Sequence, residues 1–250
     1  MKKNFIFITI FSAFFLFSQN APDSLFQQAN RLYYEGKYAE AENLYHQIEQ
    51  SGKHSAELYY NLGNTAYKQN KLVVAVYYYE KALKLNPRMK EARQNLALVR
   101  RGFQYKTEEL PEVLYKKLWH RFVNQLPAEV WGFLSLAVLY ISLFVALVFM
   151  FSEYIKRRKA AFYILPFTTF LWLFFLFASY SAEKYNAKLY AIVFDDQTEL
   201  YAEPSLNSEV KGKAHAGQKV EILQENEYWA KVKLPNGQTY WISKETYRKL

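Results

Sequence analysis

The hydrophobic positions of this chain fall into blocks, a repeat and an alternation. The blocks are Phe5–Phe17, Trp131–Phe151 and Ala160–Tyr180. The first is 13 residues long, short of the ~20 needed for a spanning helix. It follows Met1-Lys2-Lys3 and precedes Ser18-Gln19-Asn20, which predicts a secretory signal over residues 1–20, with an uncleaved anchor as the alternative. The other two blocks each hold 21 residues without a charge. At 1.5 Å per residue each matches ~30 Å of hydrocarbon, which predicts transmembrane helices over residues 131–151 and 160–180. Both are apolar on every side, unlike core helices of a soluble domain. Pro166 predicts a kink near the start of the second.

Between the signal and the spans, small and aromatic positions recur every 34 residues: Ala29 as Gly63, Asn30 as Asn64, Ala41 as Ala75 and Tyr45 as Tyr79. This predicts an all-α repeat unit over residues 22–101, two helix pairs and a capping helix starting at Lys90. In the linker over residues 102–129, Leu110, Val113, Leu114, Leu118 and Phe122 recur at helical steps. That amphipathic helix either lies on the membrane surface or packs on the repeats. From Leu189 to Leu250 the period drops to two, in Lys219–Leu223, Trp229–Leu234 and Thr239–Ile242, with a hairpin turn at Pro235-Asn236-Gly237. Asn-Gly tolerates positive φ at both central positions. Several short strands in about 60 residues predict a small all-β barrel over residues 189–250.

Charge sets the orientation. The segment 152–159 joins the two spans and carries Lys156, Arg157, Arg158 and Lys159 against Glu153. The positive-inside rule places it in the cytoplasm as a basic loop, so the repeats and the strand-rich segment are expected outside the inner membrane, in the periplasm. Trp131, Tyr154 and Tyr180 stand near the span ends, where amphipathic rings favour the interface. Of the net charge of +9, six charges belong to Lys2, Lys3 and Lys156–Lys159, which leaves +3 dispersed over the rest. No dense basic face remains for tracking phosphates, and no nucleic-acid partner is expected. The spans contain no ionisable residue of the kind that ion or proton pathways use.

The chain has no cysteine, which excludes disulfides, thiolate metal sites and a cysteine nucleophile. His46, His54, His120 and His215 are scattered, and Asp195-Asp196 reads as a solvated turn. No phosphate loop or nucleophile elbow is present. The expectation is a non-enzymatic protein without cofactor or metal.

The segment Ala56-Glu-Leu-Tyr-Tyr-Asn-Leu-Gly63, with Ala75, Tyr79, Ala82 and Pro87, resembles the tetratricopeptide repeat. In the first copy Gln28 replaces the usual Leu and Lys53 the usual Pro. The resemblance implies a peptide-binding groove lined by Phe26, Asn30, Tyr33, Tyr60, Asn61, Asn64, Tyr67 and Asn95. Asparagine offers paired donors and acceptors, and tyrosine adds contact area. Phe26 and Glu91 stand where the carboxylate-gripping version carries cations, so general peptide or protein binding is implied. Tyr59 and Tyr79 also read as core.

Leu200–Ser205, Val210–Gly212, Ala216–Val220, Tyr228–Val232 and Asn236–Ile242 resemble the bacterial SH3 domain. The family's Asn-Val-Arg-x-Gly-Pro segment is shortened to Tyr201-Ala202-Glu203-Pro204. Binding of wall peptides or proteins is implied, with Tyr201, Tyr228, Trp229 and Trp241 as contacts; Trp229 and Trp241 otherwise complete the core.

In order of modules the whole chain resembles the BatE-like proteins of aerotolerance operons. That resemblance implies a membrane-anchored interaction scaffold of an envelope complex. Its implied partners are von Willebrand A-type Bat proteins and a MoxR-type ATPase, and its implied role is oxygen or stress tolerance. The alternative is a peptidoglycan-binding anchor acting through the SH3-like segment.

Overall fold

A computed structural model describes residues 21–103 and 114–250. The expected signal over residues 1–20, and Leu110 and Val113 of the linker, lie outside the described residues. The chain forms two compact units. One joins the helical repeats to the strand-rich segment from Leu189 onward; the other holds the two apolar helices and the helix before them.

The repeat helices are α1 (Ala21–Tyr34), α2 (Tyr38–Gln50), α3 (Ala56–Lys68), α4 (Leu72–Leu85) and α5 (Lys90–Arg101). The 34-residue period is visible atom by atom. Gly36 and Asn70 both take left-handed φ, +79° and +59°, at the turn inside each helix pair. Lys37 N donates to Leu32 O and Lys71 N to Ala66 O, each at 2.9 Å. Ser55 Oγ caps α3 by accepting from Leu58 N at 3.1 Å. The core between helices is Ala29, Ala41, Tyr45, Leu58, Leu62, Ala75, Val76, Tyr79, Ala82, Ala92 and Leu96. Gly63 lets α4 approach α3, because a Cβ there would sit 2.7 Å from the Tyr79 ring.

Seven antiparallel strands follow: β1 (Leu189–Val193), β2 (Thr198–Tyr201), β3 (Val210–Ala214), β4 (Lys219–Glu225), β5 (Trp229–Lys233), β6 (Thr239–Ser243) and β7 (Tyr247–Lys249). They form a sheet in the order β3-β2-β6-β5-β4-β1-β7. Its end strands β3 and β7 do not pair, so where a barrel was expected the sheet is not closed. Ala191, Val193, Leu200, Val220, Ile222, Ala230, Val232 and Ile242 fill the core on one face. The expected hairpin turn at Pro235-Asn236-Gly237 joins β5 to β6. Within it only Gly237 is left-handed, at φ +83°. Gly237 N donates to Leu234 O and Leu234 N to Gln238 O, which closes a three-residue loop.

The sheet packs on the repeats. β1 is buried on both sides: Ala191 and Val193 face the sheet core, while Ile192 belongs to the helical core. Phe194 meets Tyr77 of α4 edge to face at 5.6 Å, and the Arg248 guanidinium lies 4.3 Å over the Phe194 ring. Glu80 of α4 has a side chain only 7% exposed. Its two oxygens accept from Arg100 of α5 and Lys219 of β4, each at 2.7 Å.

In the second unit, α6 (Leu114–Val123) precedes α7 (Ala128–Phe151) and α8 (Ile155–Asn186). Both α7 and α8 are long and apolar enough to cross a membrane. They pair through small and polar residues: Ser135, Ser142, Ala161, Thr168, Ala178 and Ala182 are buried, and Ser179 Oγ donates to Ala128 O at 3.0 Å. Large apolar side chains point outward, among them Phe133 at 72% and Phe170 at 67% exposure. Two details differ from expectation. The basic residues lie in the first turns of α8, after a three-residue turn Ser152–Tyr154, because the helix begins at Ile155. That helix also runs past Tyr180 to Asn186, with Pro166 inside it. The preceding α6 packs against both: Trp119 contacts Phe174 and Phe177 of α8, and Trp131 Nε1 of α7 donates to Val123 O at 2.9 Å.

The Gly63 contact gives a direct test. Gly63→Ala should force the buried Tyr79 ring aside and destabilise the repeats by about 1–3 kcal/mol, read as a lower melting temperature of the purified chain. An unchanged melting temperature would mean that the helices have room to separate.

Candidate functional site

The eight groove positions form four pairs spaced by 34 residues: Phe26 and Tyr60, Asn30 and Asn64, Tyr33 and Tyr67, Asn61 and Asn95. The structure places them on α1, α3 and α5, the first helix of each pair and the capping helix. The asparagines form a ladder between these helices. Asn61 Nδ2 donates to Asn30 Oδ1 at 3.0 Å, and Asn95 Nδ2 to Asn64 Oδ1 at 2.9 Å. Each acceptor also takes a tyrosine hydroxyl from the second helix of its pair: Tyr45 Oη on Asn30 at 2.6 Å, and Tyr79 Oη on Asn64 at 2.7 Å. Burial raises both phenols above their ordinary pKa, so they remain donors.

Half of each amide is thereby spent. Among the described residues, Asn30 and Asn64 keep Nδ2 outside this network, and Asn61 and Asn95 keep Oδ1. The face offers donors and acceptors in alternation, as an extended peptide backbone does. Aromatic side chains flank them. Phe26 lies against Tyr45 at 5.8 Å, Tyr33 against Tyr38 at 5.4 Å, and Tyr60 against Tyr79 at 6.0 Å. Tyr67 is exposed. Tyr59 and Tyr79 are buried in the core.

On the sheet, Tyr201 pairs in register with Trp241, and Lys231 also pairs with Trp241. Paired residues share a face, and Trp229 lies two residues before Lys231, so Tyr201, Trp229 and Trp241 share the face opposite the sheet core. Trp229 and Trp241 are half-buried there. Tyr201 meets Trp229 edge to face at 5.1 Å and is itself buried, its hydroxyl donating to Glu199. Tyr228, next in sequence, is 68% exposed.

The scattered histidines stay apart. His46 Nδ1 lies 3.2 Å from Glu49, His54 Nδ1 lies 2.8 Å from the Tyr59 hydroxyl, and His120 packs on Tyr185. Among the described residues no three of His, Asp or Glu converge as metal ligands.

Sequence reasoning missed Glu80. Its signal is a lone carboxylate inside the apolar run Leu72–Leu85, a position that requires a buried partner. Beside it Lys81 binds Glu49 at 2.8 Å and lies 3.9 Å over the Tyr59 ring.

Comparison with known families matches two segments. Residues 26–99 match the Tetratricopeptide repeat model and residues 196–246 the Bacterial SH3 domain model. A search of curated proteins found no significant match. Both matched families are binding domains, and the first supports a role in holding protein partners.

Acid should weaken the repeat unit through Glu49. Its hydrogen bond to His46, joined by Lys81, depresses its pKa from 4.5 to about 2 against the opposing effect of burial. A carboxyl depressed on folding contributes stability above pH ~4.5, and loses it as pH falls towards 2. The loss should be roughly 3 kcal/mol at most, read by denaturation across that window. Glu49→Gln should flatten this dependence; an unchanged slope would assign the acid sensitivity elsewhere.

Proposed function

We propose that the chain is a membrane-anchored scaffold whose repeat groove holds an extended segment of a protein partner. The alternating free donors and acceptors of the asparagine ladder carry this reading. α7 and α8 supply the anchor. The outward large apolar residues on both helices suit hydrocarbon and would be costly in water. Four cations at the start of α8 favour a cytoplasmic turn. Two spans return the chain to the side it left, so the repeats and the sheet share the extracytoplasmic side. The amphipathic α6, with Leu114, Leu118 and Phe122 exposed beside Lys116, Lys117 and Arg121, suits the interface on that side. The resemblance to BatE-like proteins supplies the pathway: an envelope complex with von Willebrand A-type Bat proteins and a MoxR-type ATPase, in oxygen or stress tolerance.

A second reading is peptidoglycan binding through the sheet. The match to the bacterial SH3 family favours it, as does the patch of Tyr201, Trp229 and Trp241 with exposed Tyr228 beside it.

A photo-crosslinking side chain at Tyr67 or at Tyr228 separates the two in native membranes. The scaffold reading expects protein adducts at position 67, reduced more than tenfold by Tyr60→Ala, as a central aromatic contact would be. Peptidoglycan adducts at position 228, with no protein adduct at 67, would favour the wall anchor and contradict the scaffold.

A further inference from the structure

We infer that the turn between α7 and α8 is a binding site for an anionic phospholipid headgroup; this rests on the reading of the two helices as membrane spans. The turn is short. α7 ends at Phe151, and Tyr154 N donates to Ser152 Oγ at 3.3 Å before α8 begins at Ile155. A concavity opens at this tip. Leu147, Val148 and Phe151 form its apolar wall, and Ser152, Glu153, Tyr154 and Arg157 its polar rim.

The charge around the concavity is unbalanced. Lys156, Arg157, Arg158 and Lys159 are consecutive and exposed, and Glu153 is the one acid between Ser152 and Lys159. Among the described residues none of the four cations lies within ion-pair distance of a carboxylate. Several cations elsewhere are paired with carboxylates, as Lys71, Lys81, Arg100 and Lys219 are. At the tip the Arg157 guanidinium lies 4.7 Å over the Tyr154 ring, which holds it at the rim. Arg158 similarly lies 5.9 Å from the Phe149 ring.

An apolar wall below a cationic rim matches an amphiphile with a negative head. The phosphate meets Arg157 and its neighbours, and the upper acyl chain lies along Leu147, Val148 and Phe151. A free inorganic phosphate satisfies the cations but leaves the wall without a partner. A zwitterionic lipid brings its own ammonium to a rim that holds Arg157, within a run of four consecutive cations. The phosphatidylglycerol class combines both required features. Each cation near an anionic lipid surface contributes about fivefold in affinity.

The test uses the full-length chain in detergent, stripped of lipid and offered equal amounts of phosphatidylglycerol and phosphatidylcholine, with bound lipid read by native mass spectrometry. The inference expects phosphatidylglycerol to be retained in preference. Arg157→Gln should weaken that preference about fivefold, and neutralising all four cations should abolish it. Arg157→Gln leaves three cations in place, so the hairpin keeps its charge asymmetry. Excess inorganic phosphate should not displace the lipid. Equal retention of both lipids, an unchanged preference in both variants, or displacement by phosphate alone would each overturn the inference. Alkaline extraction of reconstituted vesicles separates the two levels. Release of the wild-type chain overturns the spanning reading and this site with it; retention without lipid preference overturns the site alone.

Discussion

A single buried carboxylate organises the larger unit. Glu80 sits in α4 among Tyr77, Tyr78 and Tyr79, where a lone charge would be strongly disfavoured. It is tolerated because Arg100 and Lys219 each donate to one of its oxygens. Arg100 comes from the next helix, and Lys219 from a strand 139 residues away. Removing either partner leaves the charge short of a donor, so the pairing penalises any arrangement that separates the sheet from the helices. The apolar contacts of Ile192, Phe194 and Phe103 then supply area around that fixed point. Gly217 belongs to the same seam: it is left-handed, and a Cβ there would stand 2.7 Å from the Phe103 ring.

This docking has a consequence for recognition. The residues that hold the sheet lie chiefly on α4, whereas the asparagine ladder lies on α1, α3 and α5. Docking therefore leaves the ladder available. Docking takes the outer sheet face at β1 and β4, through Ile192 and Lys219, while Trp229 stays half-buried and Tyr228 exposed on β5 and the turn before it. In the proposed scaffold the two recognition faces belong to one body, so a partner engaging both gains from effective concentration without needing two strong contacts.

Much of the architecture was legible because it is local or periodic. The 34-residue recurrence located both helix pairs, and it extends to Gly36 and Asn70, where the matching backbone turns occur. The alternating runs in Lys219–Leu223 and Trp229–Leu234 located β4 and β5. The hairpin turn at Pro235-Asn236-Gly237 was legible too, with the left-handed position on Gly237 alone. One local reading failed. The run Lys156–Lys159 looked like a loop by charge, yet α8 begins before it. The ladder was only half legible. Its asparagines were identified, but not that each spends one end of its amide on a neighbour. The clamp was least legible, since Glu80, Arg100 and Lys219 are joined by no spacing rule and meet only once the sheet has docked.

The central claim, that the repeats and the sheet act as one body held at Glu80, is tested most directly by hydrogen exchange of the full chain in detergent, comparing wild type with Glu80→Gln. The account predicts faster exchange in α4, β1 and β4 together, with α7 and α8 unchanged. Faster exchange confined to α4, with the sheet as protected as in wild type, would contradict it.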